Sequence, residues 1–222
     1  GDVVLVSASP GLRWHWNTMR ELKRCCRAIL IRRNEGYDFG SWMAALMWLK
    51  RDVDNINQLI LTNDSFWGPI TPLDDLFQRL RTSDADVIGL TDDQMYTPHL
   101  QSAFLAFQKP VIQSDAFQSF WNQLESWPRK RELIKKYEVG LPVLLQKAGF
   151  KTESLYTKYA NGNILHTAWK ELIETKNFPF LKVSLLRDNP MHQEIDDWEQ
   201  VISERNPVLA AQIRSQLQQP KA

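Results

Sequence analysis

The sequence predicts an α/β fold in which a mostly parallel sheet is flanked by helices. Short apolar runs of β-favouring residues alternate with helical segments over residues 3–90, and this alternation is typical of parallel sheets with right-handed crossovers. Polar clusters with carboxylates follow two of the runs, at residues 34–40 and 63–65, where ligands of open α/β sheets bind. Since 222 residues are enough for the core of one such domain, we predict a single domain over residues 1–222.

The first half of the chain supplies four strands and three helices in this prediction. Runs rich in Val, Ile and Leu indicate the strands. Apolar positions at helical spacing, such as Met19 and Leu22, indicate the helices, and Gly68-Pro69 indicates a turn. In order, the predicted elements are strand 3–7, helix 12–26, strand 28–32, helix 41–50, strand 59–62, helix 73–81 and strand 86–90.

The second half of the chain is less regular, and its pattern predicts more helix than strand. Gly140 and Pro142 interrupt one long helical segment, and residues 187–190 indicate a turn before the last helices. In order, the predicted elements are strand 99–107, helix 114–127, interrupted helix 129–147, strand 151–156, and helices 167–174 and 196–218.

Charge and cysteine content bear on the partners and the cellular compartment of the protein. Lys and Arg total 27 against 26 Asp and Glu, and this balance gives no argument for nucleic acid as a partner. Cys25 and Cys26 are adjacent and have no third cysteine to pair with, which predicts a reduced, cytoplasmic protein. No apolar run reaches the length of a membrane-spanning helix. Because the chain opens on a predicted strand without Met, we expect it to be the C-terminal part of a longer polypeptide.

The cluster at residues 34–40 follows the second predicted strand and carries groups suited to a polar, phosphorylated ligand. Gly36 lets the backbone approach a ligand closely. Asn34 and Asp38 can hydrogen-bond the hydroxyls of a sugar or a ribose, and the Arg33 guanidinium matches phosphate oxygens. The alternative is a turn with an N-cap for the helix that follows. We predict that these four residues bind the ligand.

The motifs of the chain resemble those of the rhamnan synthesis protein F family of bacterial polysaccharide glycosyltransferases. The matching stretches occur in the family's order, at residues 33–42, 61–69, 99–102, 179–182 and 185–190. The resemblance implies a GT-A-like, Rossmann-type glycosyltransferase domain with a nucleotide-sugar donor. It also implies that the chain lacks the first strand–helix unit of that sheet, because the second predicted strand already leads into residues 34–40.

Within such a fold, Asn63-Asp64-Ser65 is the expected diphosphate end of the donor site. A carboxylate at a strand end can hold Mg²⁺ or Mn²⁺ against the phosphates of the donor, and the resemblance implies Asp64 as that metal ligand. GT-A enzymes usually have an Asp-x-Asp motif at this place, and here Asn63 and Ser65 take its outer positions. The alternative is an Asx turn that closes the strand.

Glu138 is the predicted catalytic base. It precedes a helical segment that ends near Gly149-Phe150, and the resemblance to GT-A enzymes implies an acidic residue there that deprotonates the acceptor hydroxyl. The alternative is electrostatic, since acidic residues favour helix N-termini on their own account. Asp92 and Asp93, which follow the fourth predicted strand, are the rival candidates for the base.

Four further side chains complete the predicted donor site. His99 and Gln101 alternate in the strand predicted over residues 99–107 and are expected to point to one face. Lys182 and Arg187 flank a strand-like run, and the resemblance implies that they neutralise the diphosphate. The alternatives are a core position for His99 and a solvated surface for the two cations.

The resemblance implies transfer of a deoxyhexose, L-rhamnose from dTDP-rhamnose, to a growing bacterial surface polysaccharide. The acceptor is expected to be a glycan or a lipid-linked glycan, with peripheral association of the enzyme at the cytoplasmic face of the membrane. A carboxylate base implies direct displacement with inversion at the anomeric carbon. The alternative class is a non-catalytic carbohydrate- or nucleotide-binding module of a polysaccharide assembly protein.

Overall fold

The computed structural model describes most of the chain, namely residues 1–94, 97–123, 134–157 and 162–218. Parts of two predicted helices, at residues 124–133, lie outside the described residues. Within the described ranges, no helix combines the length and the apolar character needed to cross a membrane.

The chain divides into two compact units. The first unit contains residues 1–59 and 107–150, and the second unit contains residues 60–106 and 151–222. Each unit therefore combines two stretches that are far apart in sequence.

The strands of the described residues are short, and we label them in chain order. They are β1 Val4–Ser7, β2 Ala28–Ile31, β3 Gln58–Thr62, β4 Phe66–Trp67, β5 Val87–Gly89, β6 Asp92–Asp93, β7 His99–Leu100, β8 Phe104–Gln108, β9 Thr152–Ser154 and β10 Leu181–Lys182.

The α-helices of the described residues are labelled in the same way. They are α1 Trp16–Cys25, α2 Tyr37–Leu49, α3 Asp74–Thr82, α4 Lys109–Ile112, α5 Asp115–Asn122, α6 Gly140–Lys147, α7 Ile164–Thr167, α8 Trp169–Glu174, α9 Val183–Arg187, α10 Trp198–Ser203 and α11 Pro207–Leu217. Short 3-10 helices at Leu12–Trp14 and Val53–Asn55 and a π-helical turn at Ile134–Glu138 complete the set.

In the first unit, β1 and β2 pair in parallel, with Val4 opposite Ala28 and Ser7 opposite Ile31. Helix α1 connects them, and it starts after the 3-10 helix rather than at residue 12 as predicted. This connection is the strand–helix–strand unit that the alternating sequence pattern indicates.

Helix α2 begins four residues earlier than predicted. The sequence pattern places its start at Ser41, whereas the helix starts at Tyr37, directly after Gly36. Gly36 has a φ of +74°, a left-handed conformation that costs glycine little, and its carbonyl accepts the N–H of Gly40 at 2.9 Å. Asp38 therefore lies in the first turn of the helix rather than in a loop.

The main sheet has the order β3-β8-β5-β9, and β5 and β9 are parallel. The Ala103 carbonyl, just before β8, accepts the Thr62 hydroxyl at the end of β3 at 3.0 Å. The Gln101 N–H donates to the Thr91 carbonyl, just after β5, at 2.9 Å. Because the start of β8 lies beside the ends of β3 and β5, β8 runs against both of them.

The prediction of a mostly parallel sheet is therefore only partly right. The ladders of β4 with β10 and of β6 with β7 are antiparallel, and β8 is antiparallel within the main sheet. The strand predicted over residues 99–107 is divided into β7 and β8, because residues 101–103 leave the ladder and bond to the ends of β5 and β3. A mixed α/β arrangement remains, in which β3, β5 and β9 share one direction.

Two apolar clusters form the core of the second unit. One surrounds β5 and α3 and includes Leu80 and Ile88, both fully buried. The other joins β10 and α9 to the two C-terminal helices and includes Leu181, Leu185 and Ile202. Burial of a leucine side chain contributes about 1.5–3 kcal/mol, so the second cluster anchors β10 and α9.

Candidate functional site

The turn between β3 and β4 holds the triplet Asn63-Asp64-Ser65. The Asn63 side chain accepts the N–H of Ser65 at 3.1 Å, so the Asx turn weighed as the alternative is present as local geometry. Asn63 and Ser65 are half-buried, whereas Asp64 is exposed. The turn therefore leaves the Asp64 carboxylate accessible at the end of β3.

The pairing of β4 with β10 brings Lys182 to the same place. Lys182 lies opposite Phe66 in the ladder, and its ammonium is 5.2 Å from the centre of the Phe66 ring. The next residue, Val183, donates its N–H to the Ser65 carbonyl at 2.8 Å. Two stretches that are distant in sequence thus place a cation next to the Asp64 turn.

Arg187 is a second cation of this region, at the end of α9. Its guanidinium pairs with Asp188, with nitrogen and oxygen 2.8 Å apart. This hydrogen bond, followed by the negative charges of Asp188 and of Asp64, raises the pKa of Arg187 above its ordinary value. Asp64 and Arg187 are therefore electrostatic neighbours.

The residues between Lys182 and Arg187 form α9, and the prediction of a strand-like run there is wrong. The extended backbone ends at Lys182, which is the N-cap of the helix. Leu185 is buried against the C-terminal helices. A helix allows this burial, because one side of the segment then faces the core while Arg187 stays exposed at its end.

Gly68 permits the close approach of these two stretches. A Cβ at this position would lie 2.5 Å from the Phe180 ring and 2.9 Å from the Pro179 carbonyl oxygen, which is closer than atoms tolerate. The Ile70 N–H donates to the same Pro179 carbonyl at 2.8 Å. The chain is thus held against residues 179–183 on both sides of Gly68.

A second polar cluster lies where β5 and β9 end. Buried polar side chains need hydrogen-bond partners, and most of those in the described residues collect here, namely Thr91, Asp93, His99, Ser102 and Thr157. These buried polar side chains are concentrated in one short segment and at the end of β9. They therefore form one polar site and are not scattered through the core.

Asp92 is joined to the end of β9 by a hydroxyl. The Thr157 hydroxyl donates to the Asp92 carboxylate and accepts the Asp92 N–H at 2.9 Å. The Ser154 hydroxyl lies 3.0 Å from the Thr157 hydroxyl and 3.2 Å from the Leu90 carbonyl. These bonds tie Asp92 to the sheet and favour a structural role over that of a base.

His99 and Asp93 are opposite each other in the ladder of β6 and β7. The Nδ1 atom of His99 lies 2.7 Å from the Thr97 carbonyl oxygen, so Nδ1 donates this hydrogen bond. Gln101 follows the end of β7 and accepts the Thr91 hydroxyl at 2.6 Å. The prediction that His99 and Gln101 alternate in one strand is wrong, because the ladder ends between them.

The two polar clusters share one edge of the main sheet. The Ala103 carbonyl accepts both the Thr62 hydroxyl and the Asn63 N–H, the latter at 3.4 Å, so the end of β3 contacts the segment that carries His99 and Gln101. Because β3, β5 and β9 all end at this edge, the structure places the Asp64 turn and the second cluster on the same side of the second unit, as expected for strand ends.

The side chain of Arg32 forms hydrogen bonds within and after the loop predicted over residues 34–40. Its guanidinium donates to the Glu35 carbonyl and, at 3.2 Å, to the Ser41 hydroxyl. Arg33 and Asn34 are exposed between these anchors. The loop at the end of β2 is thus fixed from within, and Arg33 is left accessible to a ligand.

Glu138 ends the π-helical turn Ile134–Glu138, two residues before α6. The preceding residue, Tyr137, is buried, and its ring centre is 5.7 Å from that of Phe39. Phe39 directly follows Asp38 in α2. In the first unit, an aromatic contact therefore joins the residue before Glu138 to the residue after Asp38, although the two are far apart in sequence.

Gly40 sits where the loop of the first unit crosses α2, and we expect Gly40→Ala to destabilise the protein by about 1–3 kcal/mol or more. A Cβ at Gly40 would lie 2.1 Å from the Glu35 carbonyl oxygen, and this backbone atom cannot rotate away. Denaturant unfolding measures the effect. Gly140→Ala is the matched control, because nothing lies within 4 Å of its added Cβ. An equal stability of the two variants would contradict the prediction.

Comparison with known families identifies the chain. The family model of rhamnan synthesis protein F matches residues 3–212. The chain belongs to the rhamnan synthesis protein F family. This confirms the family that the motifs resemble. The matched range includes every residue that the sequence predicts for the site.

Curated relatives of this family member are longer than the chain. It is 33% identical over 158 residues to the uncharacterized protein y4gN of Sinorhizobium fredii, an alignment that covers 69% of the chain and 40% of the relative. It is 25% identical over 205 residues to the virulence protein VirA of Vibrio anguillarum, covering 77% of the chain and 66% of the relative. The chain thus spans about 40% and 66% of these two proteins.

The described carboxylates of the family member bear on metal binding. In the ranges that the structure describes, no three His, Cys, Asp or Glu side chains form a group that could hold a metal ion. Mg²⁺ is commonly held by one or two carboxylates together with substrate phosphates and water, and the exposed Asp64 fits that arrangement. Binding of Mg²⁺ or Mn²⁺ at Asp64 stays a prediction.

His166 is a polar residue of the family member that sequence reasoning missed. It is 1% exposed, its Nε2 atom lies 3.0 Å from the Ser184 hydroxyl, and its Nδ1 atom has no partner among the described atoms. Burial, and then the positive charge of Lys182, lower the pKa of His166 below its ordinary value. A neutral imidazole therefore supports α9, and no local pattern around residue 166 signals this long-range contact.

Proposed function

We propose that this member of the rhamnan synthesis protein F family is a glycosyltransferase that transfers L-rhamnose from dTDP-rhamnose to a bacterial surface polysaccharide. The observation that carries the proposal is the placement of two cations, Lys182 and Arg187, beside the exposed Asp64 turn. A departing nucleotide diphosphate needs such groups, because negative charge develops on it as its bond to the sugar breaks. Membership in the family supports rhamnose as the transferred sugar. Lys182 and Arg187 support binding of the donor's diphosphate.

A GT-A-like sheet is part of this proposal. It is supported by the common direction of β3, β5 and β9 and by the polar clusters at the edge where these strands end. Ligands of α/β sheets bind outside the carboxyl ends of their strands. The second unit therefore offers a suitable edge for the donor.

The donor-binding roles follow from the chemistry of each group. Arg187 would bind phosphate oxygens through its planar guanidinium, and Lys182 would add a second positive charge. Asp64 would hold Mg²⁺ or Mn²⁺, and the bound ion would supply positive charge that stabilises the diphosphate as it departs. In the second unit, donor contacts are proposed for Asn63, Ser65, His99 and Gln101. In the first unit, Arg33, Asn34, Gly36 and Asp38 remain predicted ligand-binding residues.

Glu138 is the proposed general base. It takes the proton of the acceptor hydroxyl as that oxygen attacks the anomeric carbon, and the bond from this carbon to the diphosphate breaks. dTDP leaves with the negative charge that develops as this bond breaks, and the new linkage has the inverted configuration. Asp92 and Asp93 are the rivals for this role, and the Asp92 carboxylate accepts a hydrogen bond from the Thr157 hydroxyl.

Removing the two positive charges tests the proposal. We expect Lys182→Met and Arg187→Gln each to weaken dTDP-rhamnose binding about 10-fold or more, because a charged hydrogen bond contributes about 1.5–3 kcal/mol. Lys151→Met is the matched control, since Lys151 precedes β9 at the opposite end of the strand and pairs with Asp84. Calorimetric titration measures affinity, and dTDP release in the presence of a rhamnose-containing acceptor measures transfer.

The outcomes of this experiment separate the two function classes. Unchanged affinity in both variants, with normal thermal unfolding, would exclude this edge as the diphosphate site. Donor binding by the wild type with no dTDP release under any acceptor condition would instead support the non-catalytic nucleotide-binding alternative. Transfer with the expected losses supports the glycosyltransferase.

A further inference from the structure

Two tryptophans of the first unit are the most exposed large apolar side chains among the residues that the structure describes. Trp14 is 80% exposed and Trp16 is 76% exposed. Trp14 ends the 3-10 helix and Trp16 begins α1, so the two indoles lie on either side of one short bend. Neighbouring exposed aromatic groups are costly in water and are typical of interaction surfaces.

The cations of α1 share a face with Trp16. They follow it at spacings of four, seven and eight residues, which one side of an α-helix brings together, and they are Arg20, Lys23 and Arg24. All three are exposed, whereas Met19 on the adjoining side is half-buried and faces the unit. We call Arg13, Trp14, Trp16, Arg20, Lys23 and Arg24 the α1 surface.

The positive charge of the α1 surface is concentrated. Glu21 is the one acidic residue over residues 11–26, although the whole chain has a net charge of only +1. The ion pairs of the first unit that the structure describes are made by Arg27 with Asp2 and Asp52, outside this surface. The α1 surface therefore offers unpaired positive charge next to two indoles.

We propose that the α1 surface docks the protein on an anionic phospholipid membrane. Indoles prefer the boundary between headgroups and acyl chains, where their apolar body and polar N–H are both accommodated. Arginine and lysine on the same side attract the phosphates of acidic lipids. Apolar insertion and charge attraction act together here, and stable reversible membrane binding requires such a combination.

The shape of the surface favours lipid over nucleic acid. Proteins that bind single-stranded nucleic acid combine cations and aromatics within a groove that tracks the backbone. Here the same groups are exposed along one face of a helix and at the bend before it, as in helices that lie in a membrane interface. The inference concerns the first unit alone and does not depend on the proposed glycosyl transfer.

Vesicle sedimentation tests the docking surface. The purified chain is expected to sediment with vesicles of phosphatidylcholine mixed with phosphatidylglycerol, and to remain in solution with vesicles of phosphatidylcholine alone. Trp14→Ala/Trp16→Ala and Arg20→Gln/Lys23→Gln/Arg24→Gln are each expected to weaken binding about 10-fold or more. Val208→Ser is the matched control, because Val208 is 67% exposed in the second unit.

The results separate a membrane surface from its alternatives. Release by added salt from the acidic vesicles, together with losses in both multiple variants that retain wild-type thermal unfolding, supports the proposal. Equal binding to both vesicle types, no binding to either, or normal binding by the tryptophan variant overturns it. Tight binding of a single-stranded oligonucleotide that depends on Trp14 and Trp16, without vesicle binding, assigns the surface to nucleic acid instead.

Discussion

Replacing Glu138 by glutamine is expected to lower turnover about 100- to 10,000-fold while affinity for dTDP-rhamnose changes little. The amide keeps the size of the carboxylate and most of its hydrogen bonding, but it cannot accept the proton of the acceptor hydroxyl. The neighbouring Tyr137 is buried against Phe39, so we expect the backbone at residue 138 to keep its position. The rate of dTDP release and a calorimetric titration of the donor measure the two effects separately.

The control for this variant is Glu171→Gln, which changes an exposed glutamate on α8 and should leave rate and affinity as they are. If donor affinity falls in parallel with the rate in Glu138→Gln, the residue binds the donor and is not the base. If neither changes, Asp93→Asn is the next variant to measure, followed by Asp92→Asn.

Asp64→Ala is expected to reduce transfer about 100- to 1,000-fold, the usual cost of losing one group that stabilises charge in a transition state. The fold should not change, because the turn is closed by Asn63 and Ser65 and Asp64 is exposed. Transfer is measured over a range of Mn²⁺ concentrations with and without EDTA. Near-normal turnover by the folded variant would remove Asp64 from the mechanism.

Asn63→Asp gives the complementary measurement for the metal. A carboxylate at residue 63 can still accept the Ser65 N–H, so the turn should persist while a second potential metal ligand is added. We expect this variant to need less Mn²⁺ for half-maximal transfer. If wild-type transfer is insensitive to EDTA and Asn63→Asp shows no new response to Mn²⁺, metal binding at this turn is excluded. The roles of Lys182 and Arg187 are tested separately by their own variants.

Local sequence signals located β1, β2, β3 and β5 well and the starts of α1 and α2 less well. The apolar runs before residues 34 and 63 are strands β2 and β3, because a short run of β-branched and leucine residues fits a half-buried sheet. Helix α2 was placed too late, since apolar periodicity begins at Ser41 while the helix is started by the left-handed Gly36. The spacing of apolar residues indicates which side of a helix packs against the core. It does not indicate a helix start that depends on the backbone conformation of one glycine.

Long-range contacts account for what sequence reasoning missed. The run over residues 99–107 looks like one strand, but Gln101 bonds to Thr91 and the Ala103 carbonyl to the end of β3, and these partners are fixed only in the folded sheet. The same applies to Thr157, which holds Asp92, and to His166, which supports α9. The motifs correctly indicated which strand ends carry polar groups, whereas the side chains that hold those groups in place have no local pattern.

The interleaving of the two units has a consequence for synthesis on the ribosome. The chain passes from one unit to the other at residues 59–60, 106–107 and 150–151. When residue 106 has left the ribosome, neither unit has both of its segments. The first unit has both of its segments only once residue 150 has been synthesised. Apolar faces that are synthesised early must wait for partners that are synthesised later, which favours late completion of each unit over stepwise folding of an N-terminal half. No single cut within residues 60–150 can release an intact unit.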